Sequence, residues 1–128
     1  MLVLPAAEPL STAAVYREAD RLGLPRAAGD LAAHRAAVEE ALRDGAELPP
    51  DMLVNDLEPA ARALAPFIDA ARAEAERAGA DHVMVAGSGP TVVGFFAGAD
   101  GPERARRAAA GLAGRSPAAV ACEPVGTE

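Results

Sequence analysis

The stretch Gly87-Ser88-Gly89-Pro90-Thr91 concentrates residue types that let an anion come close: two glycines without a Cβ on either side of a hydroxyl. Three successive amides near such glycines can form a nest for a phosphate. A tight hairpin connection ended by Pro90 needs the same residues, so the pattern alone supports either use. Its setting favours the hairpin, because the glycines lie between "HVMVAG" and "TVVGFF", whereas a nucleotide-cradling loop normally opens a helix. Elsewhere, Thr12 and Tyr16 stand four residues apart and supply a hydroxyl and the chain's one tyrosine. Thr12 suits a helix cap as well as a ligand contact, and Tyr16 suits a boundary position as well as a stacking platform. Asn55 reads as a turn residue.

Other chemistry is missing. All twelve basic residues are arginine, so no lysine can clamp a phosphate, form a Schiff base or act as a base. His34 and His82 have no Cys, His or carboxylate at ligand spacing; they read as boundary residues, and no metal site is expected. Cys122 is the single cysteine. It cannot form an internal disulfide and reads as a small buried hydrophobe on a strand. With no long apolar run and no signal-peptide pattern, a reducing cytoplasm is expected and a membrane is not. A net charge of -7 and only four aromatic residues, three Phe and one Tyr, argue against nucleic acid.

The elements that must hold these residues can be read in order. The 128 residues suit one domain, 1–128, with a core of Ala, Leu and Val. "LVLP" predicts a strand directly after Met1, an abrupt start that suggests a piece of a longer polypeptide. Ser11 or Thr12 begins a helix to Leu22 with Val15, Ala19 and Leu22 on its apolar face and Gly23 after it. A second helix is expected over 29–44 with Leu31, Val38 and Leu42 as its stripe and Gly45 as its end. Asp56 is the expected cap of a third helix holding Pro59 in its first turn, and Pro66 restarts or kinks it on the way to Gly79. The β-branched runs around Ser88 form a hairpin, a helix follows from Pro102 to Leu112, and "AAVACEP" is the last strand. This order predicts an α+β domain of the ferredoxin-like split βαβ type, with a four-stranded antiparallel sheet and helices on one face.

A longer stretch is more specific. "GADHVMVAGSGPTVVGFF" resembles the third signature of the GHMP small-molecule kinases, in their C-terminal domain. "LVLPAAEPLSTAAVYREAD" and "LVNDLEPAARALAPFI" look like segments of one branch, the 4-diphosphocytidyl-2-C-methylerythritol kinases of non-mevalonate isoprenoid synthesis. The resemblance implies that Gly87, Ser88, Gly89, Pro90 and Thr91 shape the active-site cleft and that Thr12 and Tyr16 lie against the substrate's cytidine. It also implies ATP and Mg2+ as cofactors of the full-length enzyme, reached through an N-terminal domain absent from this chain. The lysine signature, the Gly-Leu-Gly-x-Ser-Ser phosphate loop and the aspartate base that the family carries have no counterpart in these residues. The resemblance therefore places no catalytic residue here and predicts an inactive isolated chain. Two alternatives stay open: a GHMP kinase with a mevalonate- or homoserine-type acceptor, and a stand-alone ferredoxin-like binding or dimerisation module.

Overall fold

The structure is a computed structural model that describes residues 1–43 and 49–123. Strands β1 (Leu2–Leu4), β2 (His82–Val85), β3 (Val92–Phe95) and β4 (Val120–Ala121) form one sheet in the order β2-β3-β1-β4. Each neighbouring pair is antiparallel. The described residues also form helices α1 (Thr12–Leu22), α2 (Ala28–Ala41), α3 (Glu58–Leu64), α4 (Phe67–Arg77) and α5 (Gly101–Gly111). Because β1 lies between β3 and β4, the crossover from β1 to β2 through α1–α4 and the crossover from β3 to β4 through α5 each pass over one strand. The chain is thus an α+β domain with a four-stranded antiparallel sheet.

Strand register decides which face is covered. Leu2 pairs with Gly94, Leu4 and Val85 with Val92, and Val83 with Gly94, so these residues share one face of the pleat. All of them are buried. Helices α4 and α5 pack on the sheet, where Ile68, Ala71 and Ala75 of α4 and Ala108 of α5 join the core. A second contact joins α1 to α3, with Val15 and Ala19 on one side and Ala60 and Ala61 on the other buried in the same cluster. Burial of each large residue in this set contributes roughly 1.5–3 kcal/mol, and Leu2, Leu4, Val15, Ile68, Val85 and Val92 are completely covered.

Local signals set several boundaries as expected. The Ser11 hydroxyl accepts from the Ala14 amide at the start of α1, and Gly23, at φ 68°, closes its end. Pro59 sits in the first turn of α3, and Pro66 separates α3 from α4.

Other expectations fail. Asp56 does not cap α3: Leu57 holds the cap position without a side-chain bond, and Asp56 instead pairs with Arg26 at 2.6 Å. The Leu57 amide is taken by Asn55 Oδ1 at 3.0 Å, one residue earlier than expected. Leu22 is exposed and does not join Val15 and Ala19 in the core. The stripe of α2 is likewise not covered; Leu31 and Leu42 are exposed, Val38 is half-buried, and the helix has no buried residue. The sheet is already roofed by α4 and α5, and α1 packs on α3, so among the described residues the stripe of α2 stays outside the core. Cys122 is half-buried just beyond β4, with its amide donating to the Met1 carbonyl at 2.8 Å. Expectations for Asp44, for Gly45 and for the tail 125–128 lie outside the described residues.

Candidate active-site hairpin

The β2–β3 connection is built by local bonding. The Ala86 amide donates to the Thr91 carbonyl at 2.8 Å and the Gly89 amide to the Ala86 carbonyl at 2.9 Å. Gly87 and Gly89 take φ of 56° and 80°, a region that L side chains enter at a cost of about 1–2 kcal/mol. The two glycines differ in what surrounds them. A Cβ at Gly87 would meet nothing within 4 Å, whereas one at Gly89 would lie 3.1 Å from Val85 Cγ1, 3.4 Å from Ala61 Cβ and 3.5 Å from Leu10 Cδ2. Gly87 therefore opens outward, and Gly89 is pressed on the core. The three-amide nest that the sequence suggests is accordingly reduced, because the Gly89 N–H is already bonded to Ala86.

Residues far apart in the chain meet at this turn. Thr12 Oγ1 and Ser88 Oγ are 2.9 Å apart, which joins the first residue of α1 to the tip of the hairpin. Since Ser11 is the cap of α1, the Thr12 hydroxyl is available for this contact. Tyr16 lies one helical turn further along α1, on the same face as Thr12, and is 55% exposed. That exposure argues against a ring that merely covers core surface. Pro90 and Thr91 are half-buried and lead into β3.

Sequence reasoning missed the supports of this hairpin. Asn55 Nδ2 donates to the carbonyls of Val85 and Gly87, each at 2.7 Å. Glu58 Oε2 accepts from the Val85 amide at 2.8 Å, and Glu58 Oε1 lies 3.1 Å from Arg72 Nε as an ion pair without hydrogen-bond alignment. These side chains occupy backbone groups on the open edge of β2, where a fifth strand could otherwise add. The asparagine in "VNDLEP" had a turn signal, while nothing around Glu58 marked a partner in β2.

The opposite end of the hairpin is pinned by charge. Asp81 accepts from both terminal nitrogens of Arg104, at 2.7 and 3.0 Å, and from the Ala97 amide at 2.8 Å. The Arg104 guanidinium first, and the Ala97 amide second, hold the Asp81 carboxyl below its ordinary value. A concavity of about 600 Å3 lies at this end, between α4 and α5. Its Arg104 and Glu74 are already paired with Asp81 and Arg115, and it is remote from the glycine turn, so we do not assign the reacting groups there. His82 Nε2 lies 2.8 Å from the Leu53 carbonyl. Among the described residues no three His, Cys, Asp or Glu side chains converge as a metal site, and no helix is long and apolar enough to cross a membrane.

Residues 27–114 match the family model described as GHMP kinases C terminal, and the chain belongs to that family. Among its curated relatives is the 4-diphosphocytidyl-2-C-methyl-D-erythritol kinase of Streptomyces coelicolor, 36% identical over 95% of this chain and 38% of the relative. The enzyme of the same name from Salinispora tropica is 43% identical over 74% of this chain and 30% of its own length. A crystal structure of 4-(cytidine 5'-diphospho)-2C-methyl-D-erythritol kinase superposes with a TM-score of 0.61 at 30% identity, covering 88% of this chain and 38% of that one. The chain thus spans 30–38% of the length of these relatives.

Proposed function

We propose that this chain is the substrate-side domain of an ATP-dependent kinase that transfers the γ-phosphate to a hydroxyl of 4-diphosphocytidyl-2-C-methyl-D-erythritol. The observation that carries this reading is the convergence of Thr12 and Ser88, 2.9 Å apart, beside an exposed Tyr16. In it, the Tyr16 ring stacks on the cytosine, the hydroxyls of Thr12 and Ser88 face the polar part of the substrate, and Gly87, Gly89, Pro90 and Thr91 shape the cleft wall. A pyrimidine gains from an aromatic face in a way that a small aliphatic acceptor does not, which favours this substrate over mevalonate or homoserine.

The described residues do not fit a resident Mg2+-ATP site, since they include no lysine and no converging metal ligands. ATP and Mg2+ belong, in this proposal, to the remainder of the complete enzyme, and the chain alone has no turnover. A cytoplasmic setting is part of this proposal, and the net charge of -7 argues against nucleic-acid partners. The test is calorimetric titration of the complete kinase and its Tyr16→Ala variant with the cytidylyl substrate. Loss of stacking worth about 1–3 kcal/mol raises the Kd roughly 5- to 150-fold, while the exposed position changes stability by no more than about 0.5 kcal/mol. An unchanged Kd with a lowered Tm would assign Tyr16 to packing instead.

A further inference from the structure

We propose that Asn55 is a positioning residue of the glycine-rich turn, acting through the Gly87 carbonyl on Ser88. One carboxamide spans the exit of β2: Nδ2 donates to Val85 O and Gly87 O at 2.7 Å each, while Oδ1 accepts from the Leu57 amide at 3.0 Å. Three of its four hydrogen-bonding positions are therefore used. The bonds tie the start of α3 to both sides of Ala86, the residue where β2 becomes the turn. Gly87 is exposed, at φ 56°, and meets no neighbour on its Cβ side, so side-chain packing does not hold that peptide in place. The Gly87 carbonyl belongs to the peptide that carries the Ser88 amide, and Ser88 Oγ meets Thr12 Oγ1. Glu58, three residues on, fixes the Val85 amide from the same helix start. Release of the carboxamide leaves Val85 held by Glu58 and the ladder but frees the Gly87–Ser88 peptide to rotate. The inference takes its catalytic consequence from the kinase reading above.

Asn55→Asp is the discriminating variant because it keeps the side-chain shape and the acceptor for Leu57 while removing both donors. In the complete kinase it should lower kcat by about 100-fold, the cost of a misplacement of about 1 Å in the groups that position the substrate, with KM for ATP held within about threefold. A kcat equal to wild type in the folded variant overturns the positioning role. Asn55→Ser, which removes the reach to Gly87 without placing a carboxylate there, should lower kcat in the same sense; full activity in Asn55→Ser would overturn the role as well. A readout independent of turnover is the 15N–1H spectrum of the 128-residue chain. Asn55→Asp should shift the amide signals of Gly87, Ser88 and Thr12 and leave those of α5 in place. If the wild-type complete protein transfers no phosphate, the kinase reading fails, and this spectrum still decides the inference: unmoved Gly87 and Ser88 signals refute it.

Discussion

The two glycines of the hairpin should respond differently to the same substitution. Gly87→Ala forces a Cβ into the left-handed region at φ 56° but into open space, so the cost is conformational, about 1–2 kcal/mol. Gly89→Ala carries the same conformational cost at φ 80° and adds a methyl 3.1 Å from Val85 Cγ1 and 3.4 Å from Ala61 Cβ. Val85 and Ala61 are fully buried, and crowding of a packed core costs about 1–3 kcal/mol more. The sum for Gly89, about 2–5 kcal/mol, is a large share of the roughly 5–15 kcal/mol that holds a domain folded. With about 3–6 °C per kcal/mol for a chain of this size, Gly87→Ala should melt about 3–12 °C below wild type, and Gly89→Ala about 3–18 °C lower still through its extra crowding cost of about 1–3 kcal/mol. Circular dichroism melts and urea midpoints of the three proteins measure this directly. Equal losses for the two variants, or a smaller loss at Gly89, would refute the assignment of Gly89 to the core side of the turn. By the same geometry, Gly89→Val should act first on folding and not on the approach of a phosphate.

Two further outcomes follow from polar contacts. Asp81 is held below its ordinary value of 3.8 by Arg104 and the Ala97 amide, so its stabilising share is complete above that value and is lost as the pH falls through the lower native one. Asp81→Asn should therefore melt below wild type at pH 7 and converge with it in acid; a gap that persists unchanged to pH 2 would contradict the pairing. For the contact between α1 and the hairpin, Thr12→Val, Ser88→Ala and the double variant should give a coupling of about 0.5–1 kcal/mol in urea denaturation, and additive losses would remove the hydrogen bond from the account.

What the sequence reveals depends on the range of each interaction. The hairpin, the α1 caps and the break at Pro66 were legible because each is written in a few adjacent residues: β-branched runs around glycines, Ser11 with Gly23, a proline between two helical stretches. The site is legible only in part. The pattern singles out Thr12 and Ser88 separately, but their contact spans 76 positions and has no local signature. The same holds for Asn55 and Glu58, whose partners in β2 and the turn after it lie 27 to 32 positions away. The stripe of Leu31, Val38 and Leu42 misled for the converse reason. Periodicity reports that a helix has an apolar side, and only the packing of α4 and α5 on the sheet reveals that, among the described residues, the core forms without it. Asp56 is a good cap type beaten by a tertiary bond, its carboxylate held by Arg26.

The central claim is tested most directly by phosphate transfer from ATP in the complete polypeptide that carries this domain, with 4-diphosphocytidyl-2-C-methyl-D-erythritol, mevalonate and homoserine as parallel acceptors. The account predicts magnesium-dependent transfer to the cytidylyl substrate alone. Transfer to mevalonate or homoserine with none to the cytidylyl substrate would contradict it.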